Sequence, residues 1–371
     1  MKFTIQKSTL QGALQQLGKV VPSRSTLPIL SSVLLSAKDG RLSLRATDLE
    51  ISQIITVDAV MSAEGEVAVP QRTFLEITSE MPEGELTFEV QKNNQVQLTT
   101  AFGTYSIMGK PAAEYPSLPS VDRQQAVEIE GKLLRRVIDK TAFAVSRDDL
   151  KPSLMGVLFR FQEDNFIAVA TDSHRLVRYT YHEPPKGGYV GDNIIPVKFL
   201  NILTAYLENV DMVTFNIGEN HIMVQSGDTE LYTRIIEERF PDYETVFPQD
   251  NDKKLVVERE EFLSAVRRVS IFSNRTTHQI SLKLGADGLN LSTEDAETVS
   301  AAQEQVKGVF DGEELMIGYN ANYLRDVISH LDSDTVKAEF SSAVSAAIFY
   351  SEQQREGEEL TMLLMPIRLS E

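Results

Sequence analysis

The sequence predicts an α+β protein built from three tandem copies of one domain, each with about two helices and many antiparallel strands. Three observations predict it. A strand–turn–strand hairpin recurs at Ser32–Asp48, Gly156–Leu176 and Ile280–Glu294. Each third of the chain opens with a short strand leading into an amphipathic helix. After each hairpin, a further strand runs straight into a second helix. The copies lie about 125 residues apart, too far for a solenoid but suited to consecutive domains.

The opening strands are Phe3–Ile5, Val127–Ile129 and Leu255–Val257, leading into helices Ser8–Val20, Lys132–Val145 and Glu260–Val269. The first and third hairpins turn at Asp39-Gly40 and Asp287-Gly288. The middle one joins Val157–Phe161 to Phe166–Val169 through Gln162–Asn165. It ends in an unusual polar hexapeptide, Thr171-Asp172-Ser173-His174-Arg175-Leu176. The strand-to-helix segments are Val69–Leu75, Ile195–Leu200 and Ile317–Leu324. The closing β-rich stretches are Leu86–Ile107, Val213–Ile236 and Val336–Leu364. Tyr115-Pro116 and Arg239–Tyr243 read as exits to linkers. The expected domains are residues 1–121, 122–250 and 251–371.

The 371 residues, 42% hydrophobic and 24% charged, have an ordinary globular composition. With no cysteine there are no disulfides, thiolate metal sites or cysteine nucleophiles. The N-terminal stretch lacks a continuous hydrophobic core, and no run approaches about 20 apolar residues. A soluble, cytoplasmic protein without membrane contact is expected.

A net charge of −18 argues at first against nucleic acid. Location matters more than the sum. Residues 1–121 carry ten cations against twelve acids, 122–250 fourteen against twenty-one, and 251–371 twelve against twenty-one. The nearly neutral front and acidic back favour association of one molecule's front with another's back. Within this acidic chain one helix stands out. Leu133, Leu134, Val137, Ile138, Ala144 and Val145 share one face, while Lys132, Arg135, Arg136, Lys140 and Arg147 share the other with only Asp139 among them. A solvated helix face is the ordinary explanation of such a stripe. The repeat adds Lys7, Lys19 and Arg24 around the first helix, and Arg72 and Lys198 in equivalent places. Equivalent helices of a repeated ring would line one surface with these cations, and their phosphate contacts would carry no sequence information.

No catalytic pattern fits. Gly103–Lys110 has five residues between its glycines, and Pro111 stands where a phosphate loop needs Ser or Thr. There is no nucleophile elbow, zincin helix or calcium loop. His174, His182, His221, His278 and His330 are scattered without ligand spacing. Ser173-His174 invites a hydrolase reading, but neighbours on an extended chain point apart. No catalytic residue, cofactor or metal is expected.

The hexapeptide, the ending Met365-Pro366-Ile367-Arg368-Leu369, the Arg239–Tyr243 segment, the opening Met1–Ile5 and Thr26–Leu30 together resemble the bacterial sliding clamps, the beta subunits of DNA polymerase III. The resemblance covers essentially the whole chain. It implies three DNA-clamp domains with sheets outside and helices inside, dimerising head to tail into a six-domain ring around double-stranded DNA. The interface would join a first-domain edge strand, Phe102–Met108 with Tyr105 and Ile107, to Ile271 and Phe272 of the third domain. The DNA-facing set would be Arg24, Arg72, Lys132, Arg135, Arg136, Lys140, Arg147 and Lys198.

The resemblance also implies a cleft for hydrophobic client motifs, lined by Thr171, His174, Arg175, Leu176, Pro241, Val246, Asn320, Tyr323, Val344, Met365, Pro366, Ile367, Arg368 and Leu369. Leu176, Val246, Val344, Met365 and Ile367 would make its apolar floor. Arg175 and Arg368 would orient polar groups of the motif, and Pro366 would fix the strand exit. Expected partners are the polymerase III catalytic subunit, a clamp loader, translesion polymerases and repair proteins, at the nucleoid. Ser146–Ser153 departs from the family in having two acids and no aromatic residue. The competing reading is a repeat-built peptide adaptor that never encircles DNA.

Overall fold

The computed structural model describes residues 1–121, 125–208 and 210–369. The expected boundary residue 122 and the terminal pair Ser370-Glu371 lie outside them. The first third contains β1 (Lys2–Gln6), α1 (Lys7–Leu17), β2 (Ser32–Lys38), β3 (Arg41–Thr47), β4 (Ile51–Val57), β5 (Val60–Ala63), β6 (Gly65–Pro70), α2 (Gln71–Glu80), β7 (Glu85–Val90), β8 (Gln95–Thr99) and β9 (Thr104–Met108). The second contains β10 (Ala126–Glu130), α3 (Gly131–Thr141), β11 (Gly156–Phe161), β12 (Phe166–Thr171), β13 (Arg175–Tyr181), β14 (Gly191–Pro196), α4 (Val197–Thr204), β15 (Met212–Ile217), β16 (His221–Ser226) and β17 (Thr229–Arg234). The third contains β18 (Lys253–Glu258), α5 (Arg259–Ser270), β19 (Gln279–Gly285), β20 (Gly288–Asp295), β21 (Ser300–Val306), β22 (Gly308–Asp311), β23 (Leu315–Asn320), α6 (Ala321–Ser329), β24 (Thr335–Phe340), β25 (Ala347–Ser351) and β26 (Glu358–Leu364).

The two helices and the hairpin expected in each third are present. Asp39 and Gly40 both take positive φ, 51° and 74°, the geometry that a two-residue hairpin turn demands. In the third copy the turn sits one residue early: Gly285 pairs with Gly288, which already belongs to the strand. Helix α3 is shorter than its apolar pattern suggests. It ends at Thr141 and a 3-10 turn, Ala142–Ala144, carries the chain onward. Helix α5 is capped by Glu258, whose carboxylate accepts from the amides of Glu260 and Glu261.

The chain forms two compact units, Met1–Leu134 with Lys198–Ile235, and Arg135–Val197 with Ile236–Glu371. The first holds a five-stranded sheet, β5-β1-β7-β8-β9, and an eight-stranded sheet, β10-β15-β16-β17-β4-β3-β2-β6. The second holds a nine-stranded sheet, β14-β11-β12-β13-β26-β25-β24-β18-β22, and a four-stranded sheet, β21-β20-β19-β23. Within each large sheet, strands of two successive repeats pair directly: β17 with β4, and β13 with β26, both antiparallel. The compact units therefore cut across the repeat. Alternation sets each core: Leu42, Leu44 and Ala46 of β3 are wholly buried on one face, as are Leu282 and Leu284 of β19 and Leu289 and Leu291 of β20. No helix among the described residues is long and apolar enough to cross a membrane.

Candidate functional site

The polar hexapeptide forms the tight turn between β12 and β13. The Thr171 hydroxyl accepts from the Ser173 amide at 3.1 Å and donates to the Arg175 carbonyl at 2.7 Å. Asp172 Oδ1 accepts from the amides of His174 and Arg175 at 2.9 and 3.0 Å. Ser173 takes φ 79°, a left-handed conformation rare for a residue with a side chain, and the hydrogen bonds hold it there. The first repeat builds the same turn with Thr47, Asp48 and Leu49. Thr171 and Asp172 are thus turn-makers common to the fold, and Thr171 has its hydroxyl fully engaged. What the second turn adds is the exposed His174 and the side chains of Arg175 and Leu176.

Arg175 does not project into solvent to meet a ligand, as the sequence suggested. It is 8% exposed. Its guanidinium binds Asp172 at 3.2 Å, Asp326 at 2.6 Å and the Phe143 carbonyl at 2.7 Å. It also lies over the rings of Phe143 and Tyr323, at 5.1 and 4.7 Å. Held through all three of its nitrogens, Arg175 is a strut that joins three segments. Tyr323 in turn stacks on His174, with ring centroids 5.7 Å apart. Beside this pair opens a cavity of about 440 Å³, whose rim includes Arg147, Lys151 and Asp326. Asn320 caps helix α6, accepting from Asn322 and Tyr323 and donating to the Thr277 carbonyl. It positions Tyr323 at the start of α6.

Leu176 is buried with Leu158, Val169, Ile194, Tyr243, Ala346 and Leu363 in one apolar cluster. Arg160 holds Tyr243 there, with its guanidinium 5.4 Å from the ring centre and hydrogen-bonded to the hydroxyl at 3.1 Å. Val246, Val344 and Met365, on separate loops of the same unit, remain 49%, 63% and 40% exposed. Pro241 and Arg368 are exposed, and Pro366, Ile367 and Leu369 half-buried. Leu363 and Leu364 are core residues of β26, and exposure rises only from Met365 onward. Two main-chain bonds seat the segment beyond β26: the Met365 amide donates to the His174 carbonyl at 2.8 Å, and the Ile367 amide to the Gly318 carbonyl at 2.9 Å. A buried apolar base, with the exposed Val246, Val344 and Met365 each within three residues of one of its members, suits a short hydrophobic peptide and no reaction. The Ser173 hydroxyl accepts from Lys151 at 3.3 Å while His174 stacks on Tyr323, so the two form no catalytic pair.

Models of the DNA polymerase III beta subunit match residues 1–119 with its N-terminal domain, 128–242 with its central domain and 244–368 with its C-terminal domain. The chain belongs to this family. It is a sliding clamp, a non-catalytic processivity factor of DNA polymerase III. The beta sliding clamp of Pseudomonas putida is 31% identical over the full length of both chains. Among solved structures, the Pseudomonas aeruginosa clamp bound to griselimycin is 30% identical with a TM-score of 0.92, covering all of both chains. The Caulobacter (C. crescentus) clamp, with a polyethylene glycol at a putative beta-motif tethering region, is 28% identical with a TM-score of 0.93, again over both full lengths.

The clamp's cations divide into two kinds. Arg24 and Lys132 are exposed; the Arg72 side chain is 90% exposed and pairs along its helix with Glu76. Arg135 is 3.9 Å from Asp139, Arg147 is exposed, and Lys198 bonds Asp48. Arg136 and Lys140 differ. Arg136 binds Asp332 and, at 2.6 Å, Glu358; Lys140 binds Asp332 at 2.7 Å and the His330 carbonyl at 2.5 Å. Only 14% and 12% of these two side chains is exposed. Their charges are neutralised within the fold, which removes them from the expected DNA-facing set. Lys7 is likewise buried against Glu83.

Of the expected interface residues, Ile271 and Phe272 are 77% and 44% exposed, and Tyr105 is half-buried. Ile107, at 9%, already belongs to the core beneath β9. Phe143, Asp326, Ala346 and Gly318 carry no motif and escaped sequence reasoning. Each acts through a partner distant in sequence.

Proposed function

We propose that two copies of this clamp pair head to tail into a closed ring around duplex DNA, each contributing domains 1–121, 122–250 and 251–371. One observation carries the reading: the way successive repeats join. β17 closes the second repeat and pairs with β4, the strand that follows the first repeat's hairpin. β26 closes the third and pairs with β13, which follows the second's hairpin. By the same rule β9, closing the first repeat, should pair with β21, which follows the third's hairpin. Both are edge strands, with a neighbour on one side only among the described residues. Joined between copies, the five- and four-stranded sheets make one of nine strands. Such pairing would occupy two edges otherwise open to aggregation.

The repeat also supplies the register. Leu231 faces Gln53, and Met362 faces Val177. Counting along the ladders, Tyr105 corresponds to Leu231 and Met362, and Ala302 to Gln53 and Val177. Tyr105 should therefore face Ala302 of the second copy, at a non-hydrogen-bonded position with Cα atoms about 4.5 Å apart. The chain lacks cysteine, so Tyr105→Cys with Ala302→Cys should oxidise to a covalently closed dimer. Tyr105→Cys with Ala301→Cys, whose side chains leave opposite faces, should cross-link poorly. Equal cross-linking of both pairs, or a monomer by light scattering, would overturn the ring.

The cleft around His174, Leu176, Pro241, Val246, Tyr323, Val344 and Met365–Leu369 is read as the client site. Thr171, Arg175 and Asn320 support it from below. Its clients would include the polymerase III catalytic subunit, a clamp loader, translesion polymerases and repair proteins, in the cytoplasm at the nucleoid. Griselimycin, which the P. aeruginosa clamp binds, is a ready probe of this cleft. Val344→Asp should abolish its binding while the dimer persists. Arg24, Arg72, Lys132, Arg135, Arg147 and Lys198 are read as facing DNA. Arg24→Glu with Arg147→Glu should weaken retention on DNA and spare griselimycin binding. Loss of neither or both would favour the adaptor that does not encircle DNA.

A further inference from the structure

We infer that Gly318 is a positioning residue for the client cleft: its missing side chain lets the C-terminal segment seat against β23 and so places Met365–Ile367. This rests on the cleft being the client site. β23 is the last strand of the four-stranded sheet, with β19 on one side. On its other side the described chain offers one bridge, Gly318 with Ile367. The segment leaves the nine-stranded sheet at Leu364, is stitched to the His174 turn through Met365, and reaches the other sheet through Ile367 within three residues. Leu369 then lies over Gly318.

A Cβ at position 318 would stand 2.7 Å from the Ile367 carbonyl oxygen, 2.7 Å from Leu369 Cδ2 and 3.0 Å from Leu369 Cγ. Gly318 is not among the residues with positive φ, so its backbone does not itself call for glycine. Space alone does. The leucine side chain can swing aside, but the carbonyl belongs to the bridging main chain and yields only if the bridge opens. An alanine here therefore acts on the segment's seat without replacing any cleft side chain.

Gly318→Ala should weaken griselimycin binding by about five- to tenfold, the scale of one lost hydrogen bond. Amide exchange at Ile367 should rise by a similar factor, while the dimer mass and the exchange of β19 and β20 amides stay as in the parent. Val344→Asp, run alongside, separates the two levels. If it leaves binding intact, the cleft reading itself fails. If Val344→Asp abolishes binding but Gly318→Ala changes neither affinity nor Ile367 exchange, the cleft stands and the role of Gly318 is refuted. If β19 and β20 exchange rises as well, the alanine has loosened the whole sheet and the positioning role is refuted too.

Discussion

Arg175 shows what one residue can do when charge, planarity and burial are combined. A guanidinium bonded to two carboxylates and a carbonyl between two rings cannot be replaced by an ammonium, which lacks the flat fork and the stacking face. Arg175→Ala leaves Asp172, 11% exposed, without its charge partner. That change should cost about 3–5 kcal/mol in urea unfolding, with Arg175→Lys recovering only part. A loss under about 1 kcal/mol would mean that the network is solvated in solution. The sequence marked Arg175 as part of an unusual motif but assigned it to a ligand. What the sequence could not show is the strut: Asp326 lies 151 residues away, and nothing local signals that the two meet.

Helix α3 makes the same point at the level of an element. Its apolar stripe was legible, and Leu134, Val137 and Ile138 are buried. The opposite face was read as solvated or turned toward DNA, because a helical wheel reports only what avoids the helix's own core. Arg136 and Lys140 in fact reach Asp332 and Glu358 of the third repeat. Burial alone would raise the Asp332 carboxyl's pKa, but hydrogen bonds from Arg136 and Lys140 outweigh it and hold the value at about 2, below the ordinary 3.8. A carboxyl depressed on folding adds stability that is present above its ordinary pKa and is lost as pH falls toward the folded value. Parent protein and Asp332→Asn should therefore differ most in melting temperature above about pH 5, and converge between about pH 4 and 2. A gap that stays constant down to pH 2 would exclude this carboxylate as the acid-sensitive group.

For the whole molecule, the three-domain repeat was plain because Asp-Gly turns, alternating strands and strand–helix junctions recur in order. The joints between repeats were not. Nothing in the residues of β13 or β26 announces that they pair, since their partners are set by which sheet edges meet and not by local sequence. The same joints carry the mechanism. A body of net charge −18 is poorly made to grip DNA electrostatically, and a processivity factor that gripped tightly could not slide. Retention by closure separates holding from affinity. The Tyr105→Cys, Ala302→Cys protein, oxidised in the presence of a circular plasmid, should leave a fraction of rings trapped on the circle. That fraction should survive 1 M salt, which would strip an electrostatic binder whose affinity falls as a high power of salt concentration. Cutting the circle once should release it, because a ring leaves a linear duplex by sliding off its end. Trapped protein that washes off the intact circle in salt, or that stays on the linear product, would show that charge rather than topology holds this clamp to DNA.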